Sequence, residues 1–436
     1  MAIKSFYENG YGLRGNPFPG KATYAEDVKM IYVPEMFGSQ REDFMRKFVL
    51  APLENGQPLI GAVWSVVPGD PEARGFGKST LMGEEAKQIN HDFGQATLRS
   101  LGVPENEVKD NPILAGYVAF NSKAQGGIAN IDAAAFHLVR FILRGVDRDG
   151  NSIHQRLNEM ALTRLMEKGA VAPGGGKHAI VEAIKSRFRE LSVSIDIRNL
   201  LEQFVFHLAD KDTDALERFL SDDVGTWHHD RNGLKYLQIF VVFAELAGIQ
   251  HFTFFIDQVE DFTSSAGAAK IQKNVKIIRD ALFEAEPFSS RASFVFQLHP
   301  DAYEKLRNAW LHEDLRSLEW DDPLNKSVVI VLTGLEEFDQ ARLLVERMLN
   351  DPSVALPNHK GGISPFTESA LELVWEATKP RPRWFLRVLH DLLALGKEDK
   401  ISPIDDAFVT PLIDRLSEAA RTSEDDLISA TDSRLK

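Results

Sequence analysis

The chain contains no cysteine at all. Disulfides, thiolate metal sites and cysteine nucleophiles are thereby excluded together, and a reducing cytoplasm is the expected setting. Long hydrophobic runs are missing too: no apolar stretch reaches the length of a bilayer span, and the opening MAIKSFYENG is too polar for a secretory leader. No membrane association is expected. Basic residues are in the minority, 50 Lys and Arg against 64 Asp and Glu, for a formal net charge of −14. That excludes a protein whose whole surface coats nucleic acid, but leaves room for a local basic patch or a basic channel in a ring of subunits. Two candidate patches are Lys270, Lys273 and Lys276, and Arg381, Arg383 and Arg387. The plain reading of each is a solvated helix face. Internal repeats are absent as well. At 436 residues and 44% hydrophobic content, the chain is expected to hold two or three globular domains.

What is present is a glycine-rich loop, PGDPEARGFGKST, at Pro68–Thr80. An apolar run, Pro58–Val67, precedes it and a helical pattern over Ser79–Asn90 follows. Strand, glycine loop, Gly-Lys-Ser and helix form an arrangement that holds the phosphates of a nucleotide. Backbone N–H groups and the helix N-terminus face the anion, Lys78 adds a point charge, and the Ser79 hydroxyl can hold Mg²⁺. Gly75, Gly77, Lys78, Ser79 and Thr80 are the candidate phosphate-binding residues. The first glycine of the usual spacing is replaced by Glu72; Gly69 could serve instead in a longer, acid-bearing loop.

Four further runs read as strands: Leu114–Phe120, His251–Ile256, Ser293–Leu298 and Ser327–Leu332. All are short, apolar and rich in Val, Ile or Phe, as in strands covered on both faces, and helical patterns separate them. A parallel sheet with helices on both sides follows. The stretch from Phe120 to His251 is far longer than one crossover requires and reads as a helical insertion, about 121–250. Its expected helices are Asp132–Leu143, His154–Glu167, His178–Phe188, Ile197–Leu208, Asp214–Leu220 and Leu234–Ala247. GGGK at Gly174–Lys177 lacks a preceding strand and reads as a helix–helix connection. From Glu336 the chain turns helical, with Phe338–Asn350, Thr367–Ala377, Arg383–Leu395 and Ala407–Ala420. The expected division is 1–57, an N-terminal segment; 58–335, the α/β core with its insertion; and 336–436, a helical lid and C-terminal element. The abundant Phe falls mostly in apolar runs and reads as core.

Two further constellations carry chemistry. FFIDQVEDF at Phe254–Phe262 ends an apolar strand in Asp257, whose carboxylate can hold Mg²⁺ directly or through water. Where many such enzymes have a glutamate directly after the aspartate, this chain has Gln258, which can orient water but is a poor base. Either Glu260 supplies the carboxylate, or turnover is slow until a partner intervenes. In SFVFQLHPDAY, Ser293–Tyr303, Gln297 and His299 are alternatives for a group reaching the γ-phosphate or the attacking water.

These residues together resemble the AAA+ ATPases, and within them the branch of origin-recognition initiators, secretion-type ATPases of the ExeA kind, transposition regulators and STAND switches. GFGKST and FFIDQVED correspond to Walker A and Walker B. YGLRGNPFP at Tyr11–Pro19 and the Arg41-bearing SQRE at Ser39–Glu42 look like the segments that frame the adenine pocket. The resemblance implies a P-loop NTPase with a parallel five-stranded sheet, ATP and Mg²⁺ as cofactors, Gln297 as sensor 1 and Arg383 as sensor 2, with Arg381 as the other register. It also implies an arginine from a neighbouring subunit meeting the transferred charge; among Arg291, Arg307 and Arg316, the last is preferred. The implied protein is a homo-oligomeric, cytoplasmic ATPase, slow or partner-stimulated, that assembles on DNA or a DNA-bound complex. The alternative is a slowly hydrolysing STAND-like switch that recruits a partner protein through the helical insertion, as in mobile-element or phage defence.

Overall fold

The computed structural model describes residues 5–20, 31–67, 74–120, 130–169, 176–191, 200–221, 223–259 and 267–421, with backbone alone at 200 and 223–231. Five strands form one parallel sheet: β1 (Ile60–Trp64), β2 (Ile113–Ala119), β3 (His251–Asp257), β4 (Ala292–Leu298) and β5 (Val329–Val331), in the order β2-β3-β4-β1-β5. β3 and β4 are buried at every position, which is why their sequences run apolar instead of alternating. The α/β fold class with a five-stranded parallel sheet, a helical insertion and a C-terminal helical region is as expected. The run Ser327–Leu332 keeps only Val329–Val331 as strand, because β5 lies at the sheet edge and pairs with β1 alone.

The chain divides into two compact units, one of Met1–Arg41, Ser65–Leu81 and Leu332–Lys436, the other of Glu42–Trp64 and Met82–Val331. The second holds the whole sheet and the insertion. Between β2 and β3 run helices Ile131–Leu143, Ile153–Glu167, Lys177–Glu190, Leu200–Leu208, Thr213–Ser221 and Asp223–Ala247. The last is the spine of the insertion: Tyr236, Leu237 and Ile239–Ala244 are fully buried. It starts at Asp223, well before the expected Leu234, because the polar run WHHDRNG carries no apolar periodicity and ends in a helix-weak glycine. Lys177 opens its helix and pairs with Asp210 at 2.7 Å; Gly174 and Gly175 of the GGGK run lie outside the described residues. Phenylalanines fill the sheet's flanks: Phe44 stacks on Phe255 at 5.3 Å, and Phe283 lies against Phe294 and Trp310 at 5.3 and 5.9 Å.

The first unit gathers the N-terminal segment, the glycine loop and the helices Phe338–Leu349, Glu368–Thr378 and Pro382–Asp399. The N-terminal segment is pinned to those helices. Asn16 Nδ2 donates to the His390 carbonyl at 2.9 Å, His390 Nδ1 meets the Phe18 carbonyl at 2.7 Å, and the Tyr11 hydroxyl donates to the Ile401 carbonyl at 2.9 Å. The expected helix Ala407–Ala420 is two pieces, Asp406–Val409 and 413–421. Pro411 breaks it, having no N–H to donate and disfavouring helix at the residue before it. Asp405 caps the first piece by accepting from Phe408 N at 3.0 Å.

Candidate functional site

Gly75 and Gly77 both adopt left-handed backbone, φ +84° and +81°, a region that side chains with a Cβ enter at a cost. Their small size is needed as well. A Cβ on Gly75 would meet Arg383 Cβ at 2.9 Å, and one on Gly77 would meet the Phe37 ring at 3.1 Å. The loop then passes into helix Lys78–His91, whose first residue is the lysine. Lys78 is buried, 5% exposed, and its Nζ donates to Ser65 Oγ. The N–H groups of a helix start, the helix dipole and a fixed ammonium at one point favour an anion there. Ser79 and Thr80 are half-buried in the first turn.

The same unit carries the lid candidate. Pro382 opens helix Pro382–Asp399, and Arg383 N donates to the Gly75 carbonyl at 3.2 Å. Arg381 is used differently: it is buried, with its guanidinium 4.0 Å from the Trp384 ring and 5.7 Å from the Phe76 ring. Arg387 pairs with Asp391 at 3.4 Å. The three arginines therefore form no exposed basic patch. Arg41 is half-buried beside Gln40, which is fixed to Thr333 by bonds of 2.5 and 3.3 Å.

In the other unit, Asp257 ends β3 and is fully buried. Its Oδ2 accepts from the Tyr117 hydroxyl at 2.6 Å, and its Oδ1 from Gln258 N at 2.7 Å. Gln258 has φ +54°, a conformation that costs a non-glycine residue about 1 kcal/mol and is found where the chain must re-aim. The sheet register sets a row of neighbours. Ala119 pairs with Asp257, Ile256 with Phe296, and Gln297 with Val63, so Asp257 and Gln297 come level on adjacent strands and share a face. Gln297 is buried, 7% exposed. His299 caps helix Pro300–His312, Nδ1 accepting from Ala302 N at 3.4 Å, which makes it a structural residue in this state. Glu260 lies outside the described residues.

The arginine candidates are tied within their own unit. Arg291 pairs with Glu245 and Arg307 with Glu319, each at 2.9 Å. Arg316 Nε donates to Asn325 Oδ1 at 3.2 Å, and its Nη2 to the Leu324 carbonyl. Among the described residues no group of three or more His, Cys, Asp or Glu could cage a metal. Among the described residues no helix is long and apolar enough to cross a membrane.

Sequence reading missed Tyr117, Ser65, Phe37 and Trp384. Tyr117 alone left a signal, a hydroxyl within the apolar run LAGYVAF that needs a partner once buried.

No protein-family model and no curated protein matches the chain. Among solved structures it is similar to the Aeropyrum pernix ORC2 protein in its ADPNP–ADP complexes, at 11% identity and a TM-score of 0.44, over 90% of this chain and 70% of that one. That likeness is too distant to argue from.

Proposed function

We propose that the chain is an AAA+ ATPase that binds ATP with Mg²⁺ and couples nucleotide state to assembly on DNA or a DNA-bound complex. The observation that carries the nucleotide half is the packing of the glycine loop: two left-handed glycines, one pressed beneath Arg383, lead into a helix that begins at a buried lysine. In this reading Lys78 holds the β- and γ-phosphates with the N–H groups of Gly75 to Thr80. Ser79 and Asp257 hold Mg²⁺, Gln297 and Arg383 sense the γ-phosphate, and Glu260 or Gln258 orients water. Arg41 and its neighbours frame the adenine. Arg316 is supplied to the site of a neighbouring copy in a cytoplasmic homo-oligomer, after giving up its bonds to Leu324 and Asn325.

Calorimetry with ATP and Mg²⁺, combined with steady-state turnover with and without duplex DNA, tests this. Uptake abolished by Lys78→Ala and turnover stimulated by DNA are expected. No adenine-nucleotide uptake by the wild type would overturn it.

One observation favours a second reading, a slowly hydrolysing switch that recruits a partner protein through the insertion. The position after Asp257 holds a glutamine, which cannot deprotonate water. Stoichiometric bound nucleotide without turnover, with or without DNA, would select it.

A further inference from the structure

Helix Ala268–Ile278, AAKIQKNVKII, contains three lysines and no acidic residue. Its buried side is Ile271, Val275 and Ile278, and its outer side presents Lys270, Lys273 and Lys276, all exposed. Three lysines elsewhere sit three places after a carboxylate and pair with it: Lys87 with Glu84 at 2.9 Å, Lys185 with Glu182 at 3.4 Å, and Lys379, capping its helix, with Glu376 at 2.8 Å. On this helix the neighbour three places away is another lysine, an arrangement that disfavours the helix. None of the three has an ion-pair partner among the described residues. The nearby carboxylates of Asp280 and Glu313 are taken by Arg279, at 2.8 and 2.9 Å. Helix Pro300–His312, joined alongside through Gln272 and His312 at 2.9 Å, adds Lys305 and Arg307 against Asp301 and Glu304, so it leaves the balance unchanged.

A row of positive charge without an ion-pair partner among the described residues, in a chain of net charge −14, calls for an anionic partner. Lysine is depleted from protein–protein interfaces, whereas contacts to nucleic-acid phosphates are made by lysine and arginine together with polar donors such as glutamine and asparagine. Asn274 supplies such a donor between the lysines.

We infer that the outer face of helix Ala268–Ile278 docks on the phosphate backbone of duplex DNA through Lys270, Lys273 and Lys276. This names the surface that the proposed function leaves open, and it rests on the DNA half of that reading, not on the nucleotide half. The three ammonium groups are carried along roughly 9 Å of helix axis and read charge, not sequence.

The test is fluorescence anisotropy of a labelled mixed-sequence DNA duplex with the full chain across a salt series. Three neutralised phosphates predict that the slope of log K against log salt is shallower by about 2.7 in K270Q/K273Q/K276Q than in the wild type. Should the triple variant not fold, K273Q alone is expected to lower the slope by about 0.9. Three findings would overturn the inference: no binding of duplex by the wild type, an unchanged slope in the variants, or an equal loss in a control carrying Lys109, Lys168 and Lys360 as glutamine. Binding of polyglutamate but not of DNA would overturn it in favour of an acidic protein partner. ATP uptake by the same variants is read separately by calorimetry. Wild-type DNA binding without nucleotide uptake sinks the ATP reading and leaves this one standing.

Discussion

The Tyr117 hydroxyl donates to Asp257 Oδ2 at 2.6 Å, both residues being buried in the sheet. Tyr117 stands two residues before Ala119, which pairs with Asp257, so the two side chains rise from the same face of adjacent strands as diagonal neighbours. The bond fixes one carboxylate oxygen while the Gln258 N–H fixes the other.

Tyr117→Phe removes that donor and leaves the ring. A hydrogen bond to a charged group contributes about 1.5–3 kcal/mol, so a lower melting temperature is expected. If Asp257 serves Mg²⁺, half-saturation by Mg²⁺ in turnover also rises about 10- to 100-fold, the usual cost of losing a residue that orients a metal ligand. Thermal denaturation and a Mg²⁺ titration of the variant check both parts.

Arg381 and Arg383 are expected to separate by readout. Arg381→Ala loses the guanidinium stacked on Trp384 and lowers stability by about 1–2 kcal/mol, with a change in tryptophan emission. Arg383→Ala keeps the fold and ATP uptake but lowers turnover. Equal effects of the two variants on turnover would reject the assignment of Arg383.

Gln258→Glu supplies a base directly after Asp257, and turnover is expected to rise at least tenfold if proton transfer limits the step. An unchanged rate, measured at saturating ATP, would mean that this position does not face the attacking water.

Much of this was legible from the amino acids. The strands at Leu114, His251 and Ser293 announce themselves as apolar β-rich runs, and the loop at Gly75–Ser79 by its glycines and lysine. The strand order was not legible, because parallel strands pair across long crossovers and no local pattern states which becomes neighbour to which. The Tyr117–Asp257 bond was hidden for that reason. So was the pairing of the N-terminal segment with the helical region far along the chain, as in Tyr11 to Ile401, 390 positions away. The helix starting at Asp223 was lost for a different reason: its first turns, DVGTWHHDRNG, carry two glycines and no apolar period.

Burial pushes His251 down to about 3, with Arg291 adding to the effect, and His137 down to about 4, with Arg140 and Arg144 adding. The folded chain therefore keeps both rings neutral, while the unfolded chain takes up protons near pH 6.5. Their contribution is complete above that pH and is lost as pH falls toward 4. Each histidine adds a slope of up to about 1.4 kcal/mol per pH unit. Melting temperatures measured between about pH 7 and pH 5 should fall in the wild type and fall less steeply in His251→Gln.

The unit that holds the glycine loop is assembled from three separate stretches, the last beginning at Leu332. During synthesis, residues 65–81 leave the ribosome long before Gly334, Pro380 and Arg383 exist to pack against them. A nascent chain stopped at Val331 would contain every strand of the sheet, yet its glycine loop would lack the partners that hold Gly75 and Phe76 in place. Premature termination would thus leave the strands complete and the glycine loop unshaped, so translation itself would set the order in which the parts mature.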